Sequence, residues 1–393
     1  MSDGAGQPGN LRETIDRIDG DILDLAGQRK KLGTELAQLK KERGDPVRDA
    51  TREREVLARF IRDGRAHGLS DSFAQRLGEL LIEESLRSQR GKLDAKAKRT
   101  THSEATVAYL GGPGTYSHVA AENHFTDRYD GVLPAPCRDF PSIIRMVEDG
   151  RADYGFLPIE NTTTGGISEV YDLLLESRLT IVGEHHLKVE HCLVGRAASP
   201  GSVRTVYGHP QALGQCQRYL KKRADITTHF TSSSTRALEK AMEGDETVAA
   251  VAGASAAELF GLNVIERGIS DHAENYTRFV AVALDAALPP EALPCKTTVV
   301  FETADTPGAL VKVLNAFADE GINLTKLESR PIPGNPWNEM FFIDFEGHSE
   351  SEGSKRALEV LNNTSGTARV LGCYGADRLA PTALELDAAK ASA

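Results

Sequence analysis

Near its start the chain spaces arginine, lysine, serine and glutamine so that they could hold an anion. Arg12, Arg29 and Lys40, with Ser85 and Gln89 one helical turn apart further on, offer cations and neutral hydrogen-bonding groups. Facing one helical interior, they would suit a dicarboxylate with neutral oxygens. No thiol, histidine or metal cluster accompanies them, so the protein could supply only orientation and electrostatic stabilisation. Four strings of hydroxyls and amides lie mid-chain: Gly111-Gly112-Pro113-Gly114-Thr115-Tyr116-Ser117-His118, Pro158-Ile159-Glu160-Asn161-Thr162-Thr163-Thr164-Gly165-Gly166, Ser232-Ser233-Ser234-Thr235 and Asn275-Tyr276-Thr277-Arg278-Phe279. Singly, each string is usually a turn or a helix cap. Together in one α/β domain they favour a cleft that grips an anionic small molecule.

The elements that must position the first set are helical. Leu11, Ile15, Ile18, Ile22, Leu25, Arg29, Leu32, Leu36 and Leu39 alternate spacings of four and three and so draw one stripe along a helix. A guanidinium inside that seam must find an anion or cost several kcal/mol, on the order of an unpaired buried charge. Along a straight helix Arg12 lies about 25 Å from Arg29 and about 42 Å from Lys40, so no small molecule touches both ends. Two antiparallel copies would bring Arg12 of one chain near Arg29 and Lys40 of the other, which predicts an all-α intertwined dimer. A coiled coil with Arg29 setting the register is the alternative. After a Gly44-Asp45-Pro46 break, Asp49 or Thr51 can cap a short helix bearing Val56, Leu57 and Phe60. A third helix is expected from about Ser70.

Leu11-Arg12-Glu13, Arg29, Lys40, Val47-Arg48-Asp49, Arg52-Glu53, Ser85 and Gln89 resemble the all-helical chorismate mutase domain. The resemblance implies rearrangement of chorismate to prephenate. It also implies that Arg12 from the partner chain and Arg29 bind the carboxylates, and that Lys40 and Gln89 donate to the ether oxygen. Asp49, Arg52, Glu53 and Ser85 would hold the hydroxyl and the remaining polar edge.

A chain of 393 residues with a net charge of -11 suggests two or three domains and argues against nucleic acid as a partner. No signal segment and no membrane-length apolar run is evident, so a cytoplasmic location is expected. Cys137, Cys192, Cys216, Cys295 and Cys373 are scattered without metal spacing and read as structural thiols. Compositional breaks place an all-helical domain at 1–92, a linker at 93–104, an α/β domain at 105–285 and a proline-rich linker at 286–296. A regulatory domain at 297–376 and a disordered tail at 377–393 complete the expected order.

Short β-rich runs alternating with helical stretches indicate two α/β lobes around a cleft, with ligands at strand ends. The Gly111–His118 turn lacks the third glycine of a dinucleotide fingerprint, so no nicotinamide cofactor is expected. These strings, and Thr277-Arg278-Phe279 above all, resemble prephenate dehydratase, which implies a fold of the periplasmic-binding-protein type. The resemblance implies that Thr277 assists departure of the ring hydroxyl and Arg278 holds a carboxylate, while Ser117, Asn161, Thr162 and Ser234 orient prephenate. Because a free threonine is a poor acid, Glu160 or a water is a candidate proton source. His118, His209 and the His185-His186 pair read as structural.

Beyond residue 296 the order of strands and helices predicts the βαββαβ plan of a ferredoxin-like domain, with Pro307 opening its first helix and Gly321 closing it. Gly308-Ala309-Leu310-Val311 and Glu328-Ser329-Arg330-Pro331 resemble the ACT-type amino-acid sensor. That resemblance implies L-phenylalanine at an interface of two such domains, near Gly308, Ala309, Leu310, Asn323, Leu324, Glu328 and Ser329, and end-product inhibition. The whole resembles the fusion of chorismate mutase and prephenate dehydratase, with no cofactor, no metal and a homodimer or larger assembly. A mutase fused to a prephenate dehydrogenase and a noncatalytic amino-acid sensor are the alternatives.

Overall fold

A computed structural model describes residues 8–43, 50–71, 73–78, 80–82, 85, 104–126, 128–285, 288–291, 293–303, 306–332 and 335–377. It divides into two compact units, one holding the N-terminal helices and the other spanning Arg99–Pro289 and Cys295–Asp377. Among the described residues no helix is long and apolar enough to cross a membrane.

In the first unit a helix runs unbroken over Pro8–Arg43, 36 residues or about 54 Å. Its apolar stripe is uncovered: Ile18 is 48% exposed, the least of the set, and Leu32 is 65% exposed. The second helix, Ala50–Ala66, contains Thr51 within its first turn, so Thr51 is not the cap that the sequence suggested. It packs on helical residues 73–78 at points of close approach. A Cβ on Gly64 would lie 2.7 Å from the Ala74 Cβ, and one on Gly78 would lie 2.9 Å from Leu57.

In the second unit three sheets form. Strands β1 (Glu104–Leu110), β2 (Gly131–Cys137), β3 (Tyr154–Asn161), β4 (Gly165–Gly166), β5 (Thr180–Lys188) and β11 (Tyr276–Ala283) make the first, in the order β2-β1-β3-β11-β5 with β4 on β3. Strands β6 (Cys192–Gly195), β7 (Thr205–Gly208), β8 (Thr227–Phe230), β9 (Val248–Ala252) and β10 (Asn263–Glu266) make the second, ordered β10-β6-β9-β7-β8. Strand β2 carries Pro134 and Pro136 and escaped the sequence reading. It survives because it is an edge strand, where a missing N–H breaks no inner ladder.

Strand direction gathers the motifs. Parallel β1 and β3 end at the same side, where the Gly111–His118 turn and Asn161 follow them, and antiparallel β11 begins there with Tyr276. Parallel β7, β8 and β9 likewise deliver His209, Ser232 and Gly253 to one edge of the second sheet. The Asn275–Phe279 string is therefore neither a turn nor a cap but the start of a strand set between β3 and β5.

The third sheet, β13-β14-β12-β15, comprises β12 (Cys295–Thr303), β13 (Leu324–Ile332), β14 (Asn335–Glu346) and β15 (Ser365–Gly375), all antiparallel, with helices Ala309–Asp319 and Glu352–Thr364 between them in sequence. The first helix begins at Ala309 rather than Pro307, because Gly308 caps it at φ 84°. Val299, Phe301, Ile343 and Phe345 meet the two helices on one face. From the other face Val300, Phe342, Leu371 and Tyr374 enter the same core as Leu157, Leu174 and Ile181 of the preceding domain. The two domains thus share a hydrophobic core. The expected tail beyond 377 lies outside the described residues, but Asp377 is anchored: its carboxylate accepts from the His186 N–H at 2.7 Å.

Candidate active site

Thr277 is the second residue of β11 and sits opposite Asn161 of β3. The Oδ1 of Asn161 accepts from the backbone N–H groups of Thr163 at 2.9 Å and Thr164 at 3.2 Å, which fixes which end of this buried amide is nitrogen. Asn161 Nδ2 then donates to Asn275 Oδ1 at 2.7 Å and to Thr277 Oγ1 at 2.9 Å. With its oxygen already accepting, the Thr277 hydroxyl keeps its own proton for a group in the cleft. The polarity propagates outward. Asn275 Nδ2 donates to Gln215 Oε1 at 3.0 Å, and Gln215 Nε2 donates to Thr163 Oγ1 at 3.0 Å. Gln215 Oε1 also meets His191 Nε2 at 2.8 Å, so that nitrogen carries the proton and His191 Nδ1 faces the Tyr116 hydroxyl at 3.0 Å. Burial holds the His191 pKa below its ordinary value, in keeping with a neutral ring.

This chain of amides joins the two lobes, since Gln215 belongs to the second and Asn161, Thr163 and Thr277 to the first. On the other side of the cleft the Thr235 hydroxyl donates to the Pro113 carbonyl at 3.3 Å. The approach is close: a Cβ on Gly112 would sit 3.0 Å from Thr235 Oγ1. Ser117, buried, lies in the first turn of the helix Tyr116–Phe125, which Thr115 caps, and half-buried Ser234 opens the helix Ser234–Glu243, capped by Ser233. Thr162 is different. Its hydroxyl donates to the Glu274 carbonyl at 3.2 Å and accepts from the Tyr276 N–H at 2.9 Å, so it braces the backbone rather than addressing a substrate. A cavity of about 490 Å³ lined by Thr162, Thr163, His272, Ala273 and Glu274 opens beside this loop.

Arg278 does not take the place expected of it. Successive strand residues face opposite ways, and its guanidinium, 3% exposed, points to the third sheet. It donates to Glu184 at 2.8 Å, to Glu160 at 2.9 Å, to Asp344 and to the Tyr374 hydroxyl at 2.9 Å. With those bonds made, no face is left for a substrate carboxylate. Glu160 is likewise committed to cations, accepting from Arg278 and Lys326. Burial would raise its pKa, but Arg278 and Lys326 outweigh burial and hold it down to about 2. His118 and His209 each meet local backbone: His118 Nδ1 accepts from Gly114 N–H at 3.4 Å, and His209 Nδ1 accepts from Gln211 N–H at 3.3 Å.

Gln215 and His191 lie outside the four strings read from the sequence, and no local pattern marks them; Tyr116 lies within the first string, but its part in the network depends on distant His191.

The helical unit presents its candidates separately. Arg12 and Arg52 are exposed, with Arg52 paired to Glu55 at 2.7 Å, and Ser85 is half-buried. Arg29 donates to the Leu81 carbonyl, and burial, aided by Arg59, lowers its pKa. Asp49, Gln89 and the side chains of Lys40 and Glu53 lie outside the described residues. In the third sheet β14 separates β13 from β12, and the Gly308 turn follows β12. Glu328 and Ser329 face opposite sides of β13, Glu328 toward Gly166 and Ser329 outward. Asn323 donates to Glu346 at 3.2 Å, Ala309 is buried, and Leu310 and Leu324 are half-buried.

Three family models match in order: chorismate mutase type II over residues 11–90, prephenate dehydratase over 107–287 and the ACT domain over 297–363. The bifunctional chorismate mutase/prephenate dehydratase of Enterobacter agglomerans is 38% identical over 94% of this chain and 96% of its own. The chain belongs to the bifunctional chorismate mutase/prephenate dehydratase family. The enzyme of that name from Escherichia coli K12 is also 38% identical, over 94% of this chain and 97% of its own. Among solved structures, the prephenate dehydratase of Arthrobacter aurescens in complex with L-Phe is similar at a TM-score of 0.63 and 30% identity, covering 70% of this chain and 91% of that one. GqqA, described as a novel type of quorum quenching acylase, has a TM-score of 0.63 and 35% identity, covering 69% of this chain and 98% of its own.

Proposed function

We propose that this chain catalyses two consecutive steps of L-phenylalanine biosynthesis, chorismate to prephenate and prephenate to phenylpyruvate, under feedback inhibition by L-phenylalanine. The observation that carries the second step is the Asn161 to Thr277 hydrogen bond, which leaves the threonine proton free. Loss of carbon dioxide and of the ring hydroxyl aromatises the ring, so the site need only hold prephenate and hydrogen-bond the departing oxygen. Thr277 does the latter. Ser117 and Ser234 orient the substrate, and Asn161, whose amide is already committed to Thr163, Thr164, Asn275 and Thr277, acts by holding the Thr277 hydroxyl. The proton delivered to the leaving oxygen comes from water relayed through Thr277.

For the first step, Arg12 of a partner chain and Arg29 hold the two carboxylates, Lys40 and Gln89 donate to the ether oxygen, and Asp49, Arg52, Glu53 and Ser85 hold the remaining polar edge. The uncovered stripe on Pro8–Arg43 supports an intertwined dimer, since this length of exposed leucine and isoleucine calls for a partner. L-Phenylalanine binds where β13 of one copy meets the Gly308 turn of another, at Gly308, Ala309, Leu310, Asn323, Leu324, Glu328 and Ser329. Five buried cysteines in the thiol form fit a reducing compartment such as the cytoplasm.

Purified protein given prephenate without nucleotide tests the dehydratase reading. Phenylpyruvate formation, suppressed by L-phenylalanine, is expected; recovery of unchanged prephenate would refute it.

A further inference from the structure

Three carboxylates and three cations meet between the first sheet and the third. Arg278 joins Glu160, Glu184 and Asp344, while Lys296 donates to Glu184 at 2.9 Å and Lys326 donates to Glu160 at 2.5 Å. Thr298 and Tyr374 fill further valences: the Thr298 hydroxyl lies 2.6 Å from Asp344 and 2.7 Å from the Tyr374 hydroxyl. Lys326 also lies 3.5 Å from Glu328, and Arg278, Glu184, Lys296 and Asp344 are each less than a tenth exposed.

The cluster's two sides have different owners. Glu160 and Arg278 immediately neighbour Asn161 and Thr277 on β3 and β11, at the register pairs Arg278 with Glu160 and Thr277 with Asn161. Asp344, Lys296 and Lys326 belong to the regulatory sheet. Nearby, Gly166 at the far end of the Asn161–Gly166 loop lies so close to Glu328 that an added Cβ would be 3.1 Å from its carboxylate. The regulatory domain therefore grips both strands that bear the catalytic pair, and the loop after one of them.

We propose that Lys326 and Asp344 are positioning residues for dehydration: by clamping Glu160 and Arg278 they set the β3–β11 register pair that aims the Thr277 hydroxyl. The regulatory sheet is then a working part of the dehydratase site, and any movement of β13 reaches Asn161 through Lys326 and Glu160. A misplacement of about 1 Å at a reacting group can cost roughly a hundredfold in rate, so a clamp of this kind has leverage. The inference rests on the dehydratase reading and extends it.

The test compares Lys326→Met, Lys326→Arg and Asp344→Asn in the full chain, with mutase turnover as an internal control. Lys326→Met leaves Glu160 its bond to Arg278, so the domain should fold. Its kcat for prephenate should fall about tenfold with KM within threefold, and Lys326→Arg should restore most of the loss. Asp344→Asn should fall in the same way, and L-phenylalanine should inhibit Lys326→Met at least tenfold more weakly than wild type. A Lys326→Met enzyme with wild-type kcat and inhibition would overturn the proposal, as would a loss that Lys326→Arg fails to rescue. If wild type itself does not convert prephenate, the dehydratase reading fails instead.

Discussion

Thr277 and Arg278 are consecutive residues that serve opposite faces of one strand. The hydroxyl of the first is held by Asn161 in the cleft, and the guanidinium of the second is buried against Glu160, Glu184 and Asp344 of the domain interface. One motif therefore carries both the proposed reacting group and the anchor of the strand that presents it.

Replacing Thr277 by valine keeps shape and removes the donor. The expected loss in dehydration is about a hundredfold or more, the scale of deleting one transition-state hydrogen bond. Steady-state kinetics should assign it to kcat, with mutase activity unaffected. A loss confined to KM would make Thr277 a binding residue only.

His191 holds Gln215 by donating from Nε2. In His191→Gln a side-chain amide can still donate, whereas His191→Leu cannot. Dehydration should therefore fall roughly tenfold in the leucine variant, about the value of one lost neutral hydrogen bond, and less in the glutamine variant. Equal activity in both would show that the imidazole is spectator packing.

Acid should loosen the interface. The Glu160 pKa lies at about 2 in the folded chain against a reference value of 4.5, so its contribution is fully present above 4.5 and is lost as pH falls toward 2. Glu184 and Asp377, whose pKa values are also lowered, act in the same direction. Thermal unfolding followed against pH should show a wild-type advantage over Glu160→Gln that is constant near neutrality and shrinks below 4.5. Curves that stay parallel throughout that range would contradict the pairing.

Arg29 interrupts an otherwise apolar stripe. Arg29→Leu should leave the helical unit folded and abolish mutase turnover while largely sparing dehydration of supplied prephenate. Chorismate and prephenate assays on the same preparation decide it, and full mutase activity would return Arg29 to a register-setting role.

Much of this was legible from the chain alone, where a signal is local. The stripe from Leu11 to Leu39 announced its helix, and β-rich runs such as Val248–Val251 announced inner strands. What escaped depends on distant partners. Pro134 and Pro136 disguised an edge strand, and the polar start of β11 read as a turn. Arg278 beside the hydroxyl of Thr277 looks like an anion holder until Glu160, Glu184 and Asp344, each far away in sequence, are found around it. Gln215 and His191 gain meaning only when the lobes meet.

Most direct is a time course of chorismate conversion by wild type and Thr277→Val, following prephenate and phenylpyruvate together without added nucleotide. The wild type should pass through prephenate to phenylpyruvate, and the variant should accumulate prephenate at an undiminished rate of chorismate loss. Phenylpyruvate from the variant at the wild-type rate, or a wild type that stops at prephenate, would contradict two separate reactions on one chain.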